Sequence, residues 1–235
     1  MKTITLVIPC FNEHESLPTL IKELEKVDRN ISFLVVDNGS EDNTKDYLKN
    51  IQNNLSKNIS ILFIDKNEGY GHGIFTALSN IKNSKFIGWI HGDLQFEFSK
   101  LNLVYKDLES YKFSDENIFY KGVRHGRSRL DFIFSYMMGK LASIILGKKM
   151  FEINAQPTIF SRELLEQLDN PPKDFGFDTY VYWKAINLDF LFIRKSFLFP
   201  PRKYGDSNWN FGLKSRFLFS YSLIKYFISL KIKKY

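Results

Sequence analysis

The sequence has 235 residues, of which 44% are hydrophobic and 25% are charged, and its formal net charge is +7. This composition excludes an intrinsically disordered chain, and the single cysteine excludes both a disulfide framework and a zinc site built from cysteines. No uncharged apolar run reaches the ~20 residues of a membrane span, and no signal peptide is recognisable, so a cytoplasmic protein is expected.

The first half of the chain alternates short apolar runs with polar, helix-like stretches. Strands are predicted at 4–8, 31–36, 59–64 and 86–90, and helices at 13–27, 42–53 and 73–81. This alternation is typical of βαβ units that build a parallel sheet. The continuous apolar run FLVVD at 33–37 fits a strand covered on both faces. The polar turns after the strands would meet at the carboxyl edge of the sheet, where open α/β sheets bind ligands.

The second half is less regular. Helices are predicted at 101–110, 130–146 and 177–186, strands at 117–121 and 189–199, and a final basic helix at 210–234. We therefore expect one α/β domain over 1–209 and an amphipathic helix over 210–235. A basic amphipathic helix is typical of a peripheral anchor, here on the inner face of the cell membrane. The alternative is a helix that packs on the core or joins subunits of an oligomer.

Two segments, VIPCFNEHESL at 7–17 and VVDNGSEDNT at 35–44, make the pattern specific. With several later motifs in the same order, they resemble the inverting family-two glycosyltransferases with the GT-A fold. The resemblance is closest to the polyprenyl-phosphate glycosyltransferases of the dolichol-phosphate mannosyltransferase type, and it extends from residue 4 to about residue 209. It implies a Rossmann-like, mostly parallel central sheet flanked by helices, and a nucleotide-diphospho-sugar as donor.

The resemblance implies that the nucleotide is bound by the turns after the first two strands. It assigns nucleotide contacts to Pro9, Phe11 and Glu13, and to Asp37. Asp37 ends a buried strand, where a carboxylate is costly unless it accepts hydrogen bonds, and the resemblance makes the base or ribose the donor. The alternative for Glu13 is that it merely begins the helix. Asp42 is interpreted as structural.

A glycine-rich segment, NEGYGHGIFTAL at 67–78, precedes the third helix. Backbone N–H groups at the start of a helix can bind an anion, and the resemblance implies that this segment, with Gly71, closes over the nucleotide. It lacks the ending of a Walker A loop. The alternative is a turn that packs closely on its neighbour.

The segment WIHGDLQFEF at 89–98 stands where the family carries its D-x-D metal motif. The resemblance assigns Asp93 to the metal, the nucleotide and catalysis. Gln95 matches a glutamine common in the polyprenyl-phosphate subgroup, and His91 stands in place of the first aspartate. Mg²⁺ prefers oxygen ligands and Mn²⁺ tolerates imidazole better, so Mg²⁺ or Mn²⁺ is the expected cofactor. The alternatives are a weak site in which His91 is only a loop residue, and a degenerate, inactive site.

Basic and polar motifs in the second half resemble the acceptor and phosphate sites of the same subgroup. They are GVRHGRSRLD at 122–131, INAQPTIFSRELL at 153–165 and PRKYGDSNW at 201–209. The residues to which the resemblance assigns acceptor or phosphate binding are Arg124, Arg127, Gln156, Arg202 and Ser207. Arginine suits this role because it binds phosphate through paired hydrogen bonds. Arg202 would also act in catalysis by offsetting charge on the departing diphosphate.

Asp178 matches an acidic position near the acceptor, at the head of a helix. A lipid phosphate attacks as an anion, whereas a sugar hydroxyl needs a base, and Asp178 is then the catalytic candidate. The expected function is inverting transfer from a UDP- or GDP-sugar to a polyprenyl phosphate or a cell-envelope glycan. The alternative is a degenerate member that acts as a binding or scaffold partner. The basic residues form no recognisable nucleic-acid-binding module, so nucleic acid is not an expected partner, and a homo-oligomer is left open.

Overall fold

A seven-stranded sheet lies at the centre of the computed structural model, which describes residues 2–111, 117–200 and 213–232. In chain order its strands are β1 (Lys2–Cys10), β2 (Ile31–Asn38), β3 (Ile59–Ile64), β4 (Ser84–Trp89), β5 (Ile118–His125), β6 (Thr158–Ser161) and β7 (Leu191–Leu198). Across the sheet they lie in the order β3-β2-β1-β4-β6-β5-β7. Within the described residues, β6 runs antiparallel to its neighbours and the other strand pairs are parallel.

Helices cover both faces of this sheet. They are α1 (Leu17–Glu25), α2 (Thr44–Ile51), α3 (Tyr70–Asn80), α4 (Leu101–Ser110), α5 (Arg129–Leu146), α6 (Glu163–Glu166), α7 (Gly176–Asn187) and α8 (Leu213–Ile232). One core contains α1, α2 and α4, and the other contains α3, α5, α7 and α8. Along β2, Phe33 and Val35 belong to the first core and Val36 to the second. Because both faces of β2 are buried, residues 33–36 of this strand form a continuous apolar run.

The sheet brings turns from distant parts of the sequence to its carboxyl edge. β1, β2 and β4 are adjacent and parallel, so the turns after Cys10, Asn38 and Trp89 lie side by side. β6 runs the opposite way, so Gln156, which precedes it, reaches the same edge. Neighbouring strands are about 4.8 Å apart, so the ends of β2 and β4 are about 10 Å apart across β1.

The predicted strands and helices are confirmed in type and order, and so is the mostly parallel α/β sheet. The prediction lacks β6 and α6, which both begin in the motif at 153–165. It therefore also lacks the antiparallel insertion that separates β4 from β5.

The described part of the C-terminal helix α8 packs on the domain. Leu223, Phe227 and Leu230 recur with helical spacing and are buried in the same core as α5 and α7. Packing on the core, one of the two alternatives for the predicted extension, therefore accounts for this face of α8. None of the described helices combines the length and the apolar character needed to cross a membrane.

Candidate active site

The turns after β1 and β2 are tied together by hydrogen bonds. The Asn12 N–H donates to Ser40 Oγ at 3.0 Å, and the Glu13 N–H donates to Thr44 Oγ1 at 2.9 Å. Asp42 accepts from the Thr44 N–H at 2.9 Å at the start of α2, which agrees with its structural interpretation. The two turns therefore hold a fixed position relative to each other at the carboxyl edge.

Asp37, the predicted nucleotide ligand, is completely buried at the end of β2. Its Oδ1 accepts a hydrogen bond from the Ser40 N–H at 3.0 Å. Its Oδ2 has no hydrogen-bond partner in the part of the chain that the structure describes. A buried carboxylate oxygen without a donor is costly, so this oxygen fits a hydroxyl or an N–H group of a ligand. Pro9 and Phe11, at the end of the neighbouring strand, are half-buried.

Glu13 stabilises the start of α1. Its Oε2 accepts from Ser16 Oγ at 2.7 Å, and its carbonyl oxygen accepts from the N–H groups of Ser16 and Leu17. This is the helix-starting role that the sequence offered as the alternative. A contact between Glu13 and the nucleotide stays a prediction.

Gly71 lies in the first turn of α3 and packs against the turn before α7. A Cβ atom at this position would lie 2.3 Å from the carbonyl oxygen of Pro172 and 2.7 Å from Phe177 Cβ. The neighbouring His72 N–H donates to the carbonyl of Lys173 at 3.1 Å, so it is not directed at an anion. Gly71 therefore has a packing role, because only glycine fits this close approach, and its contact with the nucleotide stays a prediction.

His91, Asp93 and Gln95, the predicted metal ligands, lie together in the turn after β4. His91 Nδ1 and Asp93 Oδ2 are 3.9 Å apart, and Asp93 Oδ1 accepts from the Gln95 N–H at 3.1 Å. The Gln95 side-chain amide donates to the carbonyl of Pro200 at 2.9 Å, and its role as a metal ligand stays a prediction. Imidazole and carboxylate bonds to a metal are about 2.0–2.2 Å long, so one cation can reach both His91 and Asp93.

The described residues contain no group of three or more His, Cys, Asp or Glu side chains placed to hold a metal. Two protein ligands suit a cation that completes its shell with phosphate oxygens and water, as Mg²⁺ commonly does beside a nucleotide. The residues present therefore fit a cation that is bound together with a diphosphate.

Tyr70, to which no motif assigned a role, links this turn to Asp178. Its hydroxyl lies 2.8 Å from His91 Nε2 and also forms a hydrogen bond with Asp178. Burial and the charge of Asp178 raise the pKa of the Tyr70 hydroxyl well above its usual value, so it keeps its proton. Because the Tyr70 hydroxyl keeps its proton, it can donate a hydrogen bond to one of these two neighbours.

Asp178 is buried in the first turn of α7, and its Oδ1 has no hydrogen-bond donor among the described residues. The Lys121 ammonium lies 4.0 Å from this oxygen and donates to Thr158 Oγ1 at 2.6 Å. Burial raises the pKa of Asp178, and the positive charge of Lys121 opposes this shift. The start of a helix also favours a negative charge. Asp178 therefore has one oxygen that can accept a hydrogen bond from a hydroxyl group.

Gln156 is buried immediately before β6 and reaches the turn after β4. Its Oε1 accepts a hydrogen bond from the His91 N–H. Its Nε2 is buried without a partner in the described chain, so it fits an acceptor atom of a ligand. The structure thus brings Gln156, from the predicted acceptor group, next to the predicted metal ligands.

Arg124 and Arg127 are held by a buried glutamate. Arg124 Nε donates to Glu152 Oε2 at 2.7 Å, and Arg127 Nη2 donates to Glu152 Oε1 at 2.5 Å. Glu152 cancels one of the two positive charges, and only 17% and 12% of the arginine side chains are exposed. The sequence prediction did not include this acid between the two arginines, and their contact with an acceptor or a phosphate stays a prediction.

Arg202 and Ser207, which complete the predicted site, lie outside the described residues. Three members of the site were not predicted, namely Tyr70, Lys121 and Glu152. The one available signal was a lysine inside an apolar strand, in IFYKG at 118–122. For Tyr70 and Glu152 no local pattern exists, because their partners are distant in sequence.

A sequence model described as glycosyl transferase family 2 matches residues 5–169 of the chain. Among curated proteins, one from Methanocaldococcus jannaschii that is named only as uncharacterized is 28% identical over 152 residues. The alignment covers 62% of this chain and 64% of that protein, so the chain matches less than two thirds of that relative's length.

Solved structures share the fold at low sequence identity. Glucosyl-3-phosphoglycerate synthase from Mycobacterium tuberculosis, in complex with Mn²⁺, UDP and glucosyl-3-phosphoglycerate, matches with a TM-score of 0.71 and 16% identity, over 97% of this chain and 79% of that chain. A mannosyltransferase from Pyrobaculum calidifontis, in complex with GDP-Man and Mn²⁺, matches with a TM-score of 0.62 and 17% identity, over 86% of this chain and 58% of that chain. These matches confirm the predicted GT-A fold class.

Proposed function

The chain belongs to glycosyl transferase family 2, and from this premise we propose that it is an inverting glycosyltransferase that takes a sugar from a nucleotide-diphospho-sugar. The observation that carries the proposal is the buried Oδ2 of Asp37, which lacks a donor within the described residues. Such an oxygen fits the ribose hydroxyls or a base N–H group of a nucleotide. The turn with His91 and Asp93, two strands away, would then lie near the diphosphate.

A divalent cation, Mg²⁺ or Mn²⁺, is the proposed cofactor, and His91 and Asp93 would hold it. When bound, it offsets the negative charge on the departing nucleoside diphosphate. The fold relatives support this choice, because the mycobacterial synthase was crystallised with UDP and either Mn²⁺ or Mg²⁺, and the Pyrobaculum enzyme with GDP-Man and Mn²⁺. These relatives differ in the base of the nucleotide, which is uracil in UDP and guanine in GDP-Man.

Asp178 is the proposed base for an acceptor hydroxyl. Its free Oδ1 accepts the hydroxyl proton as the acceptor oxygen bonds to the anomeric carbon of the sugar. At the same time the bond from that carbon to the diphosphate breaks, and its electron pair leaves with the nucleoside diphosphate. Attack from the side opposite the leaving group inverts the anomeric configuration. The proton thus ends on Asp178 and the sugar on the acceptor.

A polyprenyl phosphate is the second candidate acceptor, and the exposed face of α5 favours it. Four apolar residues between 51% and 75% exposed recur with helical spacing and form what we call the α5 stripe: Leu130, Ile133, Met137 and Ile144. Arg129 and Lys140 are exposed on the same helix. An apolar stripe with basic neighbours is typical of helices that lie on anionic membranes, so we propose that the α5 stripe contacts a membrane surface.

Transfer assays with UDP- and GDP-linked hexoses test the proposed function. Each donor is incubated with Mn²⁺ and either a polyprenyl phosphate or simple glycosides, and the products are identified by mass. The proposal predicts release of UDP or GDP that requires both the metal and an acceptor. Absence of turnover with every combination, in protein that binds the nucleotide, would instead support the alternative of a degenerate binding or scaffold protein.

The variant Asp178→Asn separates the two acceptor classes. We expect it to slow transfer to a hydroxyl about 10²-fold or more, because the base is lost, and to leave transfer to a lipid phosphate nearly unchanged. Unchanged transfer to a proven hydroxyl acceptor would contradict the assignment of Asp178 as the base.

Vesicle flotation tests the proposed membrane contact. The full chain is expected to float with anionic vesicles, and Ile133→Glu and Met137→Glu are expected to weaken this binding because they place a charge in the α5 stripe. Leu103→Glu is the matched control, since Leu103 is 41% exposed on α4, at the other face of the sheet. Equal flotation of all four proteins would contradict the assignment of the α5 stripe.

A further inference from the structure

Lys121 is completely buried, although lysine is among the residue types least often found in a protein interior. In the sheet register it lies on β5 between Thr158 of β6 and Arg194 of β7. Its ammonium donates to Thr158 Oγ1 at 2.6 Å, and Asp178 Oδ1 is 4.0 Å away. A buried ammonium without a counter-charge would be very costly, so Lys121 needs a negatively charged partner in this position.

The other charged groups near Lys121 are bound to partners of their own. Arg194 donates to the carbonyl oxygen of Phe151 at 3.2 Å and to the hydroxyl of Tyr182. Its guanidinium also lies over the ring of Phe192, so aromatic faces and neutral oxygens stabilise its charge.

Arg124, at the end of β5, is paired with Glu152. The acid and the arginine largely satisfy each other, which leaves Asp178 as the carboxylate that faces the Lys121 ammonium. Lys121 and Asp178 therefore form a separate pair beneath the carboxyl edge.

Packing alone does not explain this pair, because apolar side chains of similar volume are often at least as stabilising as a buried ion pair. We propose that Lys121 is a positioning residue that keeps the Asp178 carboxylate ionised, with its free oxygen available to the acceptor hydroxyl. The proposal rests on the proposed function, in which Asp178 is the base.

The electrostatic surroundings agree with this geometry. Burial raises the pKa of Asp178, and the charge of Lys121 is the largest influence that lowers it, ahead of His91, the Tyr70 hydroxyl and Arg124. An opposite charge at this distance typically lowers the pKa of a carboxyl group by one to three units.

Lys121 is perturbed in turn. Burial lowers its pKa to about 7, with Arg194 and Arg124 acting in the same direction and Asp178 and Glu152 opposing them. The ammonium is therefore present below about pH 7 and is lost as the pH rises through that value. The effect of Lys121 on the ionisation of Asp178 must therefore be measured below pH 7.

Infrared titration of the protein without substrate tests the ionisation directly. The carboxylic acid band of Asp178 is identified by its absence in Asp178→Asn, and its titration midpoint is compared between the wild type and Lys121→Met. We expect the midpoint to rise by about one pH unit or more in Lys121→Met and to stay near the wild-type value in Lys121→Arg. Lys195→Met is the control, because Lys195 pairs with Asp107 away from the site. Equal midpoints in Lys121→Met and the wild type would overturn the proposal.

The pH profile of kcat/KM for a hydroxyl acceptor tests the catalytic consequence. The acid limb of Lys121→Met should move up by the same interval as its infrared midpoint, whereas Lys195→Met should keep the wild-type limb. If the infrared midpoint shifts in Lys121→Met but Asp178→Asn does not slow transfer to a hydroxyl, Asp178 is not the base of the proposed function. The effect of Lys121 on the ionisation of Asp178 would still be established by the infrared measurement.

The wild type alone decides the question if Lys121→Met does not fold. A carboxylate at Asp178 at pH 6 supports the proposal, since burial alone would favour the acid form. A protonated Asp178 at pH 6 overturns it.

Discussion

Asp37 and Glu152 are both buried carboxylates, but their surroundings differ. Glu152 accepts from two arginines, whereas one oxygen of Asp37 has no donor among the described residues. Asp37 could be predicted because it ends an apolar strand, a local pattern. Glu152 could not, because its partners lie 28 and 25 residues away and are brought to it by the fold.

Asp37 Oδ2, which has no donor within the described residues, leads to a prediction about nucleotide binding. Asp37→Asn replaces one carboxylate oxygen with an NH2 group, which donates but cannot accept, so nucleoside diphosphate binding should weaken about tenfold or more. Calorimetric titration measures the loss. Asp46→Asn, at an exposed position in the first turn of α2, is the control and should bind like the wild type. Identical affinity in Asp37→Asn would argue against a nucleotide contact at this residue.

Glu152 leads to the second prediction, which concerns stability. Glu152→Gln leaves Arg124 and Arg127 without their shared counter-charge, so the free energy of unfolding should fall by about 3 kcal/mol. Urea denaturation measures this change, with Glu163→Gln, exposed on α6, as the control. A loss below about 0.5 kcal/mol, the range of ordinary surface substitutions, would show that the two arginines do not depend on Glu152.

The regular first half of the fold follows from local sequence patterns, and the inserted strand β6 and helix α6 do not. The strands β1 to β4 are apolar runs between amphipathic helices, and this alternation predicts their order. The four residues of β6 are too short to show a period, and their place between β4 and β5 depends on close backbone approach. Gly88 of β4 permits it, since a Cβ atom there would lie 2.0 Å from the carbonyl oxygen of Thr158.

A similar close approach at α3 gives a prediction for an element contact. Gly71→Ala would force a methyl group against the backbone of Pro172, so we expect a loss of about 1–3 kcal/mol in the free energy of unfolding. Thermal unfolding measures the effect, and Ser79→Ala, exposed on the same helix, is the control. Equal melting temperatures would mean that the turn before α7 moves freely and that packing is not the reason for glycine here.

The sheet brings motifs that are far apart in the sequence together at one edge. Asp37, Asp93 and Gln156 come from three strands, and the order of these strands places them beside one another. Residues that end or precede a strand could be predicted as site members for this reason. Tyr70 and Lys121 could not, because their roles depend on which helix lies over which strand. The same layering leaves the α5 stripe exposed on the outside of one helical layer.

The central claim is that this edge binds a nucleoside diphosphate together with a divalent cation. Calorimetric titration of the full chain with UDP and with GDP, each with and without Mn²⁺, tests it most directly. We predict that one of the two nucleotides binds, that Mn²⁺ strengthens its binding about tenfold or more, and that Asp93→Ala removes the effect of the metal. Failure of both nucleotides to bind, or binding that neither Mn²⁺ nor Asp93→Ala alters, would contradict it.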